Sequence, residues 1–331
     1  MERLPLPTYV QIEPVGQCNL RCQMCPIQFR EEPPAAFMPF PTYTRLVDSF
    51  PDLTELHLQG LGEPLMHPRF FDMVTYAAEK GIRVSTNTNG TLFSERRAEQ
   101  AVTCGLASIH ISIDGAQAAT YERIRVRAQF ATVIRGVERL VAARARHGGV
   151  APHLRLTMVL MRQNIDELID LIELTARLGI AELFVQHLCH DFGEDTLPAH
   201  YASMRQFVDE QTVTTFAADT VEQVFAAARE RAAQLGVKLR LPRPIPRPHR
   251  DDLPGRERCS WPWTGAYIAY DGRAMPCCMV ATPDRASFGN MAQDGVIDVW
   301  ENDAYSDFRL RLESKTPPAI CQSCAVYQGT F

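Results

Sequence analysis

A regular alternation of strand-like runs and helical periodicity over the first 240 residues of this 331-residue chain most constrains its fold. Residues 9–15, 54–59, 82–87, 108–113, 154–160 and 182–188 read as strands, each bounded by glycine, proline or polar residues. Helical patterns near 42–50, 69–80, 94–104, 131–147 and 165–178 separate them, and two more, near 199–211 and 219–235, follow the sixth strand. Ser94 and Asn164 stand where helix N-caps belong, and Gly81, Gly105, Gly179 and Gly236 where helices stop. A helix between successive strands returns the chain to the same edge of the sheet, so such strands pair in parallel. Six units predict an α/β fold, a partial (β/α)6 TIM-like barrel, with functional side chains at the C-terminal ends of its strands.

The character of the chain changes at Leu241-Pro242-Arg243-Pro244-Ile245-Pro246-Arg247-Pro248, where four prolines in eight residues remove helix and ladder hydrogen bonds. We therefore expect a barrel over 1–240, a proline-rich linker over 241–257 and a small C-terminal domain over 258–331. That last segment is short for an independent core and holds five of the ten cysteines, a composition that calls for a metal centre as a staple. A net charge of -5 gives no electrostatic case for nucleic acid, and no apolar run reaches membrane-spanning length. The first strand begins within nine residues of the N-terminus, which leads us to expect neither a signal peptide nor a peptide-binding domain ahead of it. Clustered thiols without a secretory signal point to a cytoplasmic, reducing setting, where they serve as metal ligands more than as disulfides.

The chemistry gathers around Cys18, Cys22 and Cys25, directly after the first strand. Three soft thiolates in one loop can hold a metal centre. The count matters, because zinc fingers and ordinary ferredoxin sites take four protein ligands, whereas a trio leaves one iron of a four-iron cluster open. A zinc site with a distant fourth ligand, or simply buried cysteines, is the competing reading. Further along, Gly60-Leu61-Gly62-Glu63-Pro64 follows the second strand, Asn87-Thr88-Asn89-Gly90 the third, and Ser112-Ile113-Asp114-Gly115 the fourth. Arg125 lies just beyond.

The C-x3-C-x2-C spacing together with these ordered strand-end elements resembles the radical S-adenosylmethionine (SAM) enzymes. The resemblance implies a [4Fe-4S] cluster on Cys18, Cys22 and Cys25 whose open iron binds SAM. It implies that Gly62 and Glu63 hold the amino group, that Asn87, Asn89 and Ser112 reach the ribose or carboxylate, and that Asp114 and Arg125 belong to the same cofactor-binding set. Arg125 would pair with the carboxylate; the alternative is a solvated helix charge. In such enzymes a reduced cluster cleaves SAM to methionine and a 5′-deoxyadenosyl radical, which takes hydrogen from substrate. An electron donor such as flavodoxin or ferredoxin is implied as a partner.

Beyond the linker, Cys259, Gly272 and Cys277 form C-x12-G-x4-C, and Cys321 and Cys324 form C-x2-C. This resembles the SPASM/twitch extension of radical SAM enzymes, the shorter twitch form matching better, and implies a second [4Fe-4S] cluster closed by four thiolates. A four-cysteine zinc ribbon is the alternative. Residues 267–276 read as a hairpin with an Asp-Gly turn that presents Cys277.

Three cysteines remain. Cys104 ends a helix and reads as a small buried hydrophobe, while Cys189 and Cys278 are candidate catalytic hydrogen-atom donors. His187 and His190 are candidates for substrate binding or for structural hydrogen bonds. From these we expect a small polar, carbohydrate- or aminocyclitol-like substrate, as in antibiotic biosynthesis, epimerised by a thiol donor. Dehydrogenation of a secondary alcohol through the auxiliary cluster and peptide modification are the alternatives, with a non-catalytic iron–sulfur or zinc protein as the contrasting class.

Overall fold

The computed structural model describes residues 4–29, 37–188 and 193–330. Nine strands form one sheet: β1 (Tyr9–Ile12), β2 (Glu55–Leu58), β3 (Arg83–Thr88), β4 (Leu106–Ser112), β5 (His153–Leu160), β6 (Glu182–His187), β7 (Lys238–Arg240), β8 (Gly265–Ile268) and β9 (Ala274–Met275). Their order is β7-β6-β5-β4-β3-β2-β1-β8-β9, parallel throughout except for the β8–β9 hairpin. The six expected strands are thus present in sequence order, with helices such as Phe70–Glu79, Glu95–Thr103, Phe130–Arg146 and Leu168–Arg177 between them. The sheet is open, because β1 and β6 pair outward with β8 and β7 and not with each other.

The strands carry two unlike faces. Val10, Leu56, Val84, Ile109, Leu156 and Val185 are fully buried, forming the contact with the surrounding helices. The opposite face is polar: Gln11, His57, Ser85, His110 and Arg155 lie on it from β1 to β5. Such period-two alternation in a parallel sheet departs from the all-apolar strands of filled barrels and leaves a hydrated trough for polar ligands.

Capping follows the sequence at some sites and not at others. Ser94 Oγ accepts from Arg97 N at 3.3 Å, a true N-cap. Gly81, Gly105, Gly179 and Gly236 all take positive φ at helix ends. Asn164 holds the N-cap position of the 3-10 helix Ile165–Glu167, but its side chain makes no capping bond there. Its Oδ1 accepts from Met161 N at 2.7 Å and its Nδ2 donates to the carbonyls of Asp114 and Val159, so it ties the ends of β4 and β5 together. The short helix Ala118–Ile124, unmarked by periodicity, closes the loop before Arg125.

Residues beyond the proline-rich segment join the same sheet. β8 pairs along the whole of β1, from Tyr9↔Gly265 to Ile12↔Ile268. The hairpin at Asp271-Gly272 forms as expected, with Gly272 at φ 89. An aromatic group packs behind it: Phe288 stacks on Tyr305 at 4.2 Å, and the Arg309 guanidinium lies 3.9 Å from the Tyr305 ring. Trp300 and Tyr305 belong to the core that also contains Val10 and Ile12, so the apolar interior crosses the linker without a break. Among the described residues no helix is long and apolar enough to cross a membrane.

Candidate functional site

The loop after β1 is held from both sides. Arg21 N donates to Val126 O at 3.0 Å and Gln23 N to Ile124 O at 2.9 Å, which pins the cysteine loop to the end of the 118–124 helix. A turn from Cys25 N to Cys22 O, 3.0 Å, then brings the second and third thiols to one side. Cys22 is buried and Cys18 and Cys25 are half-buried.

The turn after β2 explains its two glycines. A Cβ on Gly62 would collide with the carbonyl oxygen of Val15, and one on Gly60 with the carboxylate of Glu13. Only glycine lets this turn lie against the cysteine loop, where Glu63 N donates to Gln17 O at 2.9 Å. Glu13, which nothing in the sequence singled out, accepts from Leu61 N and from the Tyr267 hydroxyl at 2.7 Å. One buried carboxylate thereby joins the glycine turn to β8.

Glu63 accepts three hydrogen bonds from the protein and also lines the cavity described below. Its Oε1 accepts from Leu65 N and from Thr88 Oγ1 at 2.7 Å, and its Oε2 accepts from Asn89 N at 2.8 Å. Burial pushes its pKa up against these hydrogen bonds. It locks the ends of β2 and β3 together. Asn89 in turn donates to Asn19 Oδ1 at 2.9 Å and approaches Cys18 Sγ at 3.8 Å, while Asn87 Oδ1 meets His110 Nδ1 at 2.7 Å.

Arg125 is not a solvated helix charge. It is buried, pairs with Asp114 at 2.7 Å, and brings Nη1 to 3.9 Å from Cys22 Sγ. Burial opposes its charge, but Asp114 and Cys22 outweigh that and hold its pKa above the ordinary value. Asp114 stands behind Arg125, its other oxygen accepting from Val159 N at 2.8 Å. Asp114 is therefore a support for Arg125; it does not line the cavity.

These elements enclose a cavity of about 260 Å³. The three thiols, Gly62, Glu63, Asn87, Asn89, Ser112 and Arg125 all line it. Gln59, Thr157 and Gln186 line it as well and were not foreseen. Thr157 Oγ1 is buried with no hydrogen-bond partner, an oxygen that a polar ligand in the cavity would satisfy. Three soft donors, with amide and guanidinium groups beside two of them, suit a cluster carrying negative charge, and the polar wall suits an amino-acid nucleoside.

Cys277, Cys321 and Cys324 meet Met279, Val280, Arg285 and Ile320 around a second space of about 20 Å³. Burial raises the Cys277 pKa most, followed by the neighbouring thiols Cys278, Cys324, Cys259 and Cys321, so all five lie within electrostatic reach. Cys278 is exposed and lines neither space. Cys104 is half-buried at the end of its helix, and its thiol donates to Ala101 O at 3.7 Å. His187 Nε2 meets Arg243 O at 2.8 Å on the helix-facing side of β6. Cys189 and His190 lie outside the described residues.

Residues 12–175 match the model of the Radical SAM superfamily, and residues 259–325 that of SPASM, an iron-sulfur cluster-binding domain. The chain belongs to the radical SAM superfamily and carries a C-terminal SPASM domain; its cofactors are SAM and [4Fe-4S] iron–sulfur centres. Among its relatives is the "Tungsten-containing aldehyde ferredoxin oxidoreductase cofactor-modifying protein" of Pyrococcus furiosus, 24% identical over 334 residues, covering 96% of this chain and 87% of that one. The "PqqA peptide cyclase" of Ruegeria pomeroyi is 26% identical over 327 residues, covering 97% and 80%. Among solved structures, Streptococcus suis SuiB bound to its precursor peptide SuiA superposes with a TM-score of 0.70 at 15% identity, covering 98% of this chain and 71% of that one. That likeness is one of fold.

Proposed function

We propose that this radical SAM enzyme modifies a peptide, in place of the carbohydrate epimerisation that spare cysteines suggested. Its radical chemistry rests on one observation, a polar cavity lined by the thiol trio that the superfamily uses. Its peptide substrate class is supported by the similarity to a PqqA peptide cyclase along nearly the whole chain. The sugar and epimerase reading finds no support in the relatives described above, and Cys278, one of its two thiol donors, lines neither space. A dehydrogenase outcome has no support of its own either.

In this reading Cys18, Cys22 and Cys25 hold the first cluster. When bound, cluster and SAM together supply hydrogen-atom abstraction by a 5′-deoxyadenosyl radical. The protein's part is placement. Arg125, kept cationic by Asp114, offsets the negative charge brought by thiolates and by a carboxylate. Glu63 fixes the β2 and β3 ends, and Thr157, Ser112 and Gln186 offer hydrogen bonds to the ligand. Cys259, Cys277, Cys321 and Cys324 hold the auxiliary centre, and a flavodoxin- or ferredoxin-type donor in the cytoplasm supplies electrons.

A second reading follows from the Pyrococcus relative, whose name describes it as cofactor-modifying: the substrate would be an enzyme cofactor. The test uses anaerobically reconstituted protein with dithionite and SAM, and measures 5′-deoxyadenosine. Peptides encoded beside the gene should stimulate its formation and emerge with an altered mass. Stimulation by the cofactor of a tungsten-containing oxidoreductase and by no peptide would favour the second reading; no 5′-deoxyadenosine from protein with intact clusters would overturn both.

A further inference from the structure

Next to the auxiliary thiols sits an ion pair that neither motif contains. Arg285 lines the same small space as Cys277, Cys321 and Cys324. Its side chain is 1% exposed and that of its partner Glu194 is 2% exposed. Arg285 Nε donates to Glu194 Oε1 at 2.8 Å, Nη2 reaches the same oxygen at 2.6 Å, and Nη1 donates to Val280 O at 3.0 Å. The second oxygen, Glu194 Oε2, is buried without a partner.

The pair is also immobilised. Gly193 packs so closely on the turn between Cys321 and Cys324 that a Cβ there would lie 2.6 Å from Ser323 Cβ. Glu194 follows directly, so Gly193 and Glu194 are pressed against the auxiliary cysteine loop. A buried ion pair is a poor way to gain stability, because desolvation offsets most of its attraction and an apolar pair of similar size would serve. Fixed charges beside a redox centre in a poorly solvated place, by contrast, act strongly on it.

We propose that Arg285 and Glu194 set the reduction potential of the auxiliary cluster, the guanidinium favouring the reduced state and the carboxylate restraining it. Reduction adds one electron to a centre that four thiolates already make anionic. A neighbouring cation stabilises the added charge and a neighbouring anion opposes it. Both are positioning residues and neither ligates iron. The inference rests on the assignment of Cys259, Cys277, Cys321 and Cys324 as ligands.

The experiment uses the full-length chain with Cys18, Cys22 and Cys25 replaced by alanine, so that only the auxiliary cluster is loaded. Iron content and the cluster's absorption are measured first, which tests the ligand assignment separately: no cluster here overturns that assignment, and the inference with it. Potentials then come from dithionite titration followed by electron paramagnetic resonance. Arg285→Gln should lower the potential by a tenfold or greater change in the reduction equilibrium, 59 mV for one electron. Glu194→Gln should raise it, and Arg285→Lys should stay near the parent. Shifts of opposite sign are what a merely structural pair cannot produce. Unmoved potentials, or shifts of one sign in both variants, would overturn the proposal; if Arg285→Gln fails to hold a cluster, the sign in Glu194→Gln decides.

Discussion

The two thiol-lined regions are built on opposite plans. At the front, three cysteines face a cavity of about 260 Å³ walled by polar side chains from successive strand ends. At the rear, Cys277, Cys321 and Cys324 surround about 20 Å³, with Cys259 close by and apolar Val280 and Ile320 alongside. A missing ligand with room beside it makes a reactive site, whereas a full set without room makes an electron-handling or structural one. The two regions thus differ both in the number of thiols brought together and in the space beside them.

The sharpest way to break this comparison is to remove one thiol from each region. Cys22→Ala should abolish 5′-deoxyadenosine formation and remove about four irons per chain, the content of one four-iron cluster. Cys324→Ala should also cost iron but leave SAM cleavage in the absence of substrate within severalfold of the parent. Equal loss of cleavage in both would erase the distinction. Next in size, Arg125→Gln leaves Asp114 buried and unpaired beside the front site, and should lower stability by about 3–5 kcal/mol in urea unfolding. Arg285→Gln leaves the buried Glu194 carboxylate unpaired in the same way and should cost a comparable amount in the same measurement.

Acid should distinguish the front trough from the rear as well. Burial holds the His57 ring neutral, with its pKa lowered from 6.5 to about 4. The unfolded chain therefore binds an extra proton between these values. Stability is complete above pH 6.5 and declines as the pH falls towards 4, by up to about 3 kcal/mol from this residue. His57→Gln should flatten that decline in a pH series of unfolding midpoints; an unchanged slope would remove His57 from the account. The smallest expected effect is that of Thr157→Val, which removes an unpartnered oxygen from the cavity wall and should weaken SAM binding severalfold with little change in stability.

Much of the front site was legible because its parts are local. Three cysteines within eight residues, and short polar motifs at the ends of strands, declare themselves by spacing alone. What stayed hidden depends on residues far apart in the chain. Glu13 reads as an ordinary polar residue until Leu61 and Tyr267 are brought to it. Asn164 stands at the N-cap of the 3-10 helix Ile165–Glu167 as its residue type favours, yet the ends of β4 and β5 take its side-chain amide in place of the helix. β7 follows the helix Ala218–Leu235 and pairs with the preceding strand β6, but at three residues it is too short to show a strand pattern. The hairpin that begins with β8 was legible from its Asp-Gly turn, whereas its pairing along β1, near the other end of the chain, was not. Thr157 was passed over as one more β-branched strand residue, its exposure to the cavity set by the register of β5.

The direct ladder between β1 and β8 has a mechanical meaning. The ribbon that feeds the front loop and the ribbon that feeds the rear hairpin are laced edge to edge, so neither can swing away like a jaw without tearing backbone bonds. The span separating the two cysteine loops is consequently a built-in length of the molecule.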